Sequence, residues 1–370
     1  MQILTVNAGS SSLKLSLIGA QDETIAEHEL PAPRSRIDPA ELHRVLDGPL
    51  GDADAVAHRI VHGGERFREA VRIDAGVTDQ LRRLTDLAPL HQPKSLAALD
   101  AVSERLPALP AVACFDTAFH ATLPPAAFTY ALPARWRERW GLRRFGFHGL
   151  SHSWVARRAP ELLDDGPTIR RLVSCHLGAG ASLCAIADGR SQDTTMGFTP
   201  LEGLVMATRS GSVDPGMLLW LLEREAVSER EMTEALEHES GLAGLAGSAD
   251  LQTVLAAAER DEPAAVLAID VYLHHLRAGI AAMAATLGGI DVLVFTGGVG
   301  QHSSAIRARA ADGLGFLGVR TDPAANAAPS GDAEITAGGG LVRTLVLQAR
   351  EDLEMARQTT AVLTRSDTAE

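Results

Sequence analysis

The sequence predicts an α/β protein made of two related domains. Three observations carry that prediction. A strand, a Gly/Ser-rich turn and a second strand occur near the start of the chain, as ILTV, NAGSSS and LKLSLI. The same unit returns over residues 171–189 as RLVSCHLGAGASLCAIADG. Helical patterns lie between the two units and after the second, the mixed order of the α/β class. A shift of 169 residues places Asn7 on His176 and Gly9 on Gly178. Few residues match, but the shared plan is that of a duplicated domain.

Each element has its own signal. ILTV is apolar and β-branched, and LKLSLI alternates apolar and polar with strand period, so NAGSSSLK is expected at a hairpin. Helical patterns span residues 41–47, 79–87 and 93–106. The run AVACF reads as a strand ending at Asp116. After the second hairpin, helices are expected over 215–225, 229–239 and 264–287, the last as a buried core helix because Asp270, two histidines and Arg277 interrupt it. A strand DVLVF over 291–295 leads into a turn GGVG and a helix from Ser303, and a final helix is expected over 350–363. ESGLAGLAGSAD and TDPAANAAPSGDAEITAGGG read as loops.

Composition narrows the function classes. The 370 residues suffice for two domains, and 46 % apolar with 22 % charged is a globular balance. A net charge of −13 argues against non-specific binding to nucleic acid or anionic membranes. An anionic substrate would therefore need locally gathered cations or a metal. The three cysteines, Cys114, Cys175 and Cys184, sit in apolar runs without metal spacing. That usage, with Asn7 and Lys14 where a signal peptide's apolar region would lie, suggests a cytoplasmic protein.

Four motifs carry chemistry. NAGSSSLK combines a glycine, serine hydroxyls and Lys14, the parts of a phosphate cradle, although alone it reads first as an ordinary turn. It is not a P-loop, because GxxxxGK[ST] is absent and a strand follows. HRIVHGGE and ATRSGS each place one arginine, Arg59 and Arg209, beside apolar or Gly-rich sequence, where a planar fork suits carboxylate and phosphoryl groups. FDTAFH puts Asp116 at a strand end, and RRFGFHGLSH sets His148 between Gly146 and Gly149. His58 and His62, like His148 and His152, are four apart, but no HExxH occurs and glycines break the spacing, which argues against zinc. FTGGVGQHSS offers a helix N-terminus to an anion or nucleotide, with only a partial dinucleotide fingerprint.

Together with APLHQPKS, HLGAGAS, DTTMGFTPLEG and REDLEMAR, these stretches resemble the acetate kinase (acetokinase) family, within the actin, hexokinase and Hsp70-like ATPases. They occur in the family's order along nearly the whole chain. The resemblance implies two ribonuclease H-like domains with a catalytic cleft between them: residues 1–117 with 353–370, and 118–352 carrying a dimer interface. It implies reversible phosphoryl transfer from ATP to acetate, with Mg2+ or Mn2+, in a homodimer. A short-chain acyl (propionate-type) kinase, or use of GTP or pyrophosphate, is the alternative.

By that resemblance, Arg59 and Arg209 hold acetate and the transferring phosphoryl, His148 donates to its equatorial oxygens, and Asn7, Asp116 and Glu351 position the metal. Ser10, Ser12 and Lys14 serve phosphates in the first domain, and His176, Leu177, Gly178, Ala179 and Gly180 do so in the second. Val61, Leu90, Phe147 and Pro200 form a small acyl pocket. Asp250, Leu251 and Gln252, with Gly298, Val299, Gly300, Gln301 and His302, form the nucleotide end. Here the chain departs from the family, which usually has Asp-Phe-Arg at 250–252, GIGEN at 298–302 and Asn at Ala179. It also has Leu150 in place of the family's Thr.

Overall fold

The computed structural model describes residues 1–9, 12–31, 38–87, 92–163 and 169–367. The chain forms two compact units: Met1–Ala121 with Phe147–Trp154 and Arg350–Glu370, and Thr122–Gly146 with Val155–Ala349. Segment 147–154, expected in the second domain, belongs to the first unit. There Gly149 N donates to Asp116 O at 2.9 Å, and the His120 ring meets Phe147 O at 3.0 Å.

The first unit is built on strands β1 (Ile3–Ala8), β2 (Ser12–Ile18), β3 (Thr24–Pro31), β4 (Ala55–Ile60), β5 (Val71–Arg72) and β6 (Ala111–Phe115). The second is built on β7 (Arg171–Leu177), β8 (Ala181–Ala187), β9 (Arg190–Thr194), β10 (Val292–Thr296), β11 (Ala333–Glu334) and β12 (Arg343–Val346). The sheet orders are β3-β2-β1-β4-β6-β5 and β9-β8-β7-β10-β12-β11, one plan used twice. Each has a three-stranded antiparallel meander, two further strands parallel to its first, and a short antiparallel edge. The hairpins read from the sequence are β1–β2 and β7–β8.

Strand alternation decides what each face carries. On β4, Val56 and Ile60 pack with Ala98, Val102, Leu96 and Leu99 of the helix Gln92–Arg105. Arg59 pairs in register with Cys114 of β6, whose Sγ lies 3.8 Å from Met355 O of the C-terminal helix Glu351–Asp367. Arg59 thus faces the helix that begins with Glu351. In the second unit, the helix Pro263–Thr286 is long and apolar enough to cross a membrane. It buries a stripe including Ile269, Tyr272, Leu273, Leu276 and Ile280 and packs on β7, β8 and β9, as expected of a core helix.

Three expected loops are structured. GGVG is no turn but the start of a short helix, Gly297–His302, entered through Gly297 at φ +77°. ESGLAGLAGSAD holds the helix Gly241–Ala246, closed by Gly247 in the left-handed region. TDPAANAAPSGDAEITAGGG holds the helix Pro323–Ala327 and the edge strand β11. Its start signals, the cap Asp322 and Pro323 behind it, are masked by surrounding Ala, Gly and Pro.

Candidate active site

β1, β4 and β6 run parallel, and the first unit's site residues gather at their C-terminal ends, where open α/β sheets bind ligands. Asn7 comes from β1, Arg59 from β4, Asp116 from the position after β6, and Glu351 from the first turn of the C-terminal helix. Arg59 Nε lies 3.1 and 3.2 Å from the Asp116 oxygens and Nη2 lies 2.6 Å from Oδ2. Its Nη1 donates to Asn7 Oδ1 at 3.0 Å, and Asn7 Nδ2 donates to Glu351 Oε2 at 2.9 Å.

Burial opposes charge on Arg59, but Asp116 and Glu351 outweigh it and hold the guanidinium charged. Burial likewise pushes the Asp116 carboxyl up, against the pull of Arg59; the two-point fork is the contact of a carboxylate. Two carboxylates against one guanidinium leave the cluster with one uncompensated negative charge. The donors that Asn7, Asp116 and Glu351 can offer are all oxygens, hard ligands that suit Mg2+ or Mn2+, with water completing the shell.

His148 follows this cluster in space through backbone. It adopts φ +57°, uncommon for a residue with a side chain, and His152 N donates to its carbonyl at 3.0 Å, opening the helix Gly149–Leu162. A Cβ on Gly149 would lie 2.1 Å from Asp116 O, so only glycine lets the two segments meet. Phe147 and Val61 are buried beside each other's neighbours, the His62 ring meeting Phe147 edge-on at 5.6 Å. Lys14 sits opposite Asn7 on the hairpin, exposed and 3.9 Å from Glu29. Ser12 closes the hairpin through its carbonyl, which accepts from Gly9 N at 2.8 Å. Ser10 and Leu90 lie outside the described residues.

The second unit holds a cavity of about 550 Å³. Gly178, Ala179, Asp250, Leu251, Gln252, Gly298, Val299 and His302 line it, with Ala207, Leu255, Ala256, Glu259 and Tyr272 among others. His176, Leu177, Gly180, Gly300 and Gln301 are not in its wall. Leu177 instead receives the backbone of Gly297 so closely that a Cβ there would be 2.6 Å from Leu177 O. Gln301 turns its amide inward, Oε1 accepting from Ala349 N at 3.0 Å and Gly297 N at 3.3 Å. Asp250 is the cap of the helix Leu251–Ala258, accepting from Thr253 N at 3.0 Å and Thr253 Oγ1 at 2.6 Å.

Arg209 and Pro200 also lie in the second unit. Arg209 Nε is 3.2 Å from Glu237 Oε2 and Nη1 donates to Pro200 O at 3.3 Å. Burial lowers the Arg209 pKa, and Glu237 opposes the shift. Three residues that sequence reading missed shape this unit. Arg144 Nη1 contacts the carbonyls of Thr194, Thr195 and Met196 within 3.1 Å, while Nη2 meets Glu202 at 2.7 Å, fixing the loop that carries Pro200. Arg307, 1 % exposed, donates to Gly300 O at 2.9 Å and Gln301 O at 2.7 Å at the end of the Gly297–His302 helix. Glu237 is the third. Buried arginines are the signal in the first two cases, but burial is not visible in sequence.

A sheet plan used twice, an arginine–carboxylate cluster at the ends of three parallel strands, and a cavity behind a glycine turn define a two-domain phosphotransferase of the actin/hexokinase-type fold. Residues 37–357 match the model of the acetokinase family. The chain is 40 % identical over 407 aligned positions to an acetate kinase of Nostoc sp., covering 99 % of this chain and 100 % of that protein. It is 46 % identical over 317 positions to an acetate kinase of Gloeobacter violaceus, covering 85 % and 78 %. Among solved structures, an acetate kinase of Porphyromonas gingivalis superposes with a TM-score of 0.88 at 32 % identity over 98 % of this chain and 99 % of that one. A propionate kinase of Francisella tularensis superposes with a TM-score of 0.89 at 32 % identity over 96 % and 98 %. The chain belongs to the acetokinase family, whose members are phosphotransferases with a carboxyl group as acceptor.

Proposed function

We propose that this chain is an acetate kinase, transferring the γ-phosphoryl group of ATP reversibly to a carboxylate oxygen of acetate to give acetyl phosphate and ADP. The observation that carries the reading is the Asn7–Arg59–Asp116–Glu351 cluster: a buried fork beside oxygen donors with one uncompensated negative charge. A carboxylic acid is ionised at neutral pH, so the attacking oxygen needs no general base. Catalysis then rests on positioning and on stabilising charge at the transferring phosphoryl.

In this reading Arg59 and Arg209 orient the acetate carboxylate and the phosphoryl oxygens. His148, its ring direction set by the left-handed backbone, donates to the equatorial oxygens. Asn7, Asp116 and Glu351 would hold Mg2+ or Mn2+, which supplies charge neutralisation of the phosphates when bound. Ser10, Ser12 and Lys14 contact phosphates from the first hairpin, and His176 with the Gly178–Gly180 turn from the second. Val61, Leu90, Phe147 and Pro200 are the residues the family resemblance assigns to the acyl group. The cavity carries Asp250 and Glu259 but no lysine or arginine in its described wall. A neutral base suits it better than free pyrophosphate, which supports a nucleotide donor.

The likeness to a propionate kinase supports a second reading, a broader short-chain acyl kinase. One methylene is worth only about 1–3 kcal/mol of discrimination. The chain works as a cytoplasmic homodimer in this reading. The helix Pro215–Glu223 buries none of its residues and leaves Leu219 58 % and Trp220 51 % exposed, an apolar face suited to a second copy. The deciding experiment traps acyl phosphate with hydroxylamine across acetate, propionate and butyrate against ATP, GTP and pyrophosphate. Strongest turnover with acetate and ATP is expected; no acyl phosphate from any pair would overturn the assignment.

A further inference from the structure

We infer that Glu237 is a positioning residue for Arg209, fixing the plane of its guanidinium for the reacting anion. The inference rests on the proposed role of Arg209, and adds a residue to it from the helix Glu229–His238. The two side chains are 18 % and 12 % exposed and their charged atoms approach to 3.2 Å. The pair is backed by three hydrogen bonds, two between backbones and one from a side chain, joining the Arg209 loop to the end of that helix. Ser210 N donates to Leu236 O at 3.1 Å, Thr208 Oγ1 donates to Glu237 O at 2.9 Å, and Ser240 N donates to Thr208 O at 2.9 Å. The helix end and the loop are therefore one rigid piece, with Gly241 packed so tightly that a Cβ would lie 2.2 Å from Met206 O.

The geometry is asymmetric in a useful way. Glu237 Oε2 makes a charge contact at Nε, and Nη1 donates to Pro200 O. A charge contact at one nitrogen and a hydrogen bond at another restrict how a planar fork can turn. The charge of Glu237 also offsets the cost of keeping a cation in this half-buried place. A surface ion pair would do neither, because solvent screens it and the side chains swing freely. Sequence gives no hint of the relationship: 28 positions separate the two residues, and EHES over 237–240 reads as the polar end of a helix.

The test is a double-mutant cycle of Glu237→Gln and Arg209→Ala, with kcat and KM for acetyl phosphate and ADP measured on the full chain and melting temperature followed in parallel. Glu237→Gln should lower kcat/KM by about 10- to 100-fold, the size expected for a misaligned fork. In the Arg209→Ala background it should add less than about a twofold further loss, because the group it orients is gone. Unchanged kcat/KM in Glu237→Gln, or the same fold loss in both backgrounds, would overturn the inference. Where Glu237→Gln does not fold, Glu237→Asp, which keeps the charge but withdraws it by one methylene, enters the same cycle. Full turnover in Arg209→Ala alone would instead remove the underlying role of Arg209, so the two failures are distinct.

Discussion

Arg59 grips Asp116 with two of its nitrogens, Nη2 lying 2.6 Å from Oδ2, although Asp116 is only 1 % exposed. Taking both charges out of water is costly, and each is tolerable because the other is there. The same fork turns Nη1 toward Asn7, so one ion pair arranges the whole cluster. Asp116→Asn should leave Arg59 without the carboxylate it forks, with only the more distant Glu351 beyond Asn7 to oppose its charge. The expected result is a loss of about 3–5 kcal/mol in unfolding free energy and a fall in kcat/KM of at least about 100-fold. Arg59→Lys keeps the charge but not the fork, and should retain more stability than Asp116→Asn while losing comparable activity. Denaturant titration and steady-state kinetics on the three proteins decide; turnover of Asp116→Asn within twofold of the parent would sink the prediction.

At Gly149 a single methyl group should disturb both Asp116 and His148. Its N–H donates to Asp116 O, and an added Cβ would sit 2.1 Å from that same oxygen. The blocked atom belongs to backbone, so no side chain can yield. Gly149→Ala is expected to cost about 1–3 kcal/mol and, by shifting the carboxylate and the imidazole together, about 100-fold in kcat. Gly189→Ala is the contrast: nothing lies within 4 Å of its added Cβ, and only its φ of +75° resists substitution. A Gly149→Ala protein with normal kcat would show that the Asp116–His148 spacing does not matter.

Much of this was legible in the sequence, for definite reasons. Both hairpins, the core helix and the strand before Asp116 announce themselves through apolar period, which local chemistry fixes. The ends of β1, β4 and β6 gather Asn7, Arg59 and Asp116 from distant segments, and only the family resemblance, not any local pattern, joined them beforehand. The short helices Gly241–Ala246, Gly297–His302 and Pro323–Ala327 were hidden because glycine, proline and asparagine disfavour helix, and the small alanines between them give no clear apolar period over so few residues. Their ends are held from outside, by Arg307 for the second of them. The loop that carries Pro200 tells the same story: Arg144 grips three carbonyls at its edge, an interaction with no sequence spacing to betray it.

Two buried histidines set the acid limit. His58 is 2 % exposed with no hydrogen-bond partner for either ring nitrogen, and burial lowers its pKa to about 4. His62 is also lowered to about 4 by burial, and its Nδ1 accepts from Gly64 N at 2.9 Å, a bond that only an unprotonated nitrogen can accept. In the unfolded chain both have an ordinary pKa of about 6.5. Between pH 6.5 and 4 the unfolded state binds more protons, so stability is full above about pH 6.5 and is lost as pH falls toward 4. The loss approaches about 3 kcal/mol per histidine. Urea unfolding at pH 7.5, 5.5 and 4.5 should show this slope, and His58→Leu should flatten it by its share. Identical pH slopes for the parent and His58→Leu would remove His58 from the account.

If the cavity of the second unit takes the nucleotide as proposed, a gain of function can be built there. Asp250 spends its carboxylate on capping the helix Leu251–Ala258, so it cannot also serve as a free acceptor without loosening the helix start. Gln252, exposed two positions later, lines the cavity with an uncharged amide. The rest of the described wall is mostly small and apolar, with Tyr272, Glu259, His302 and two serines, and it holds no arginine or lysine. Gln252→Arg should add a stacked guanidinium worth about 0.5–2 kcal/mol, tightening ATP binding by about 2- to 30-fold. Acetate KM should stay put, because the first unit's cluster is untouched. Stacking reads the face of a base and not its edge, so GTP should gain as ATP does. Calorimetric titration of both nucleotides into the parent and Gln252→Arg measures this; a gain for neither would mean that the base does not reach the wall at Gln252, and a gain for ATP alone would mean that the edge is being read by another group.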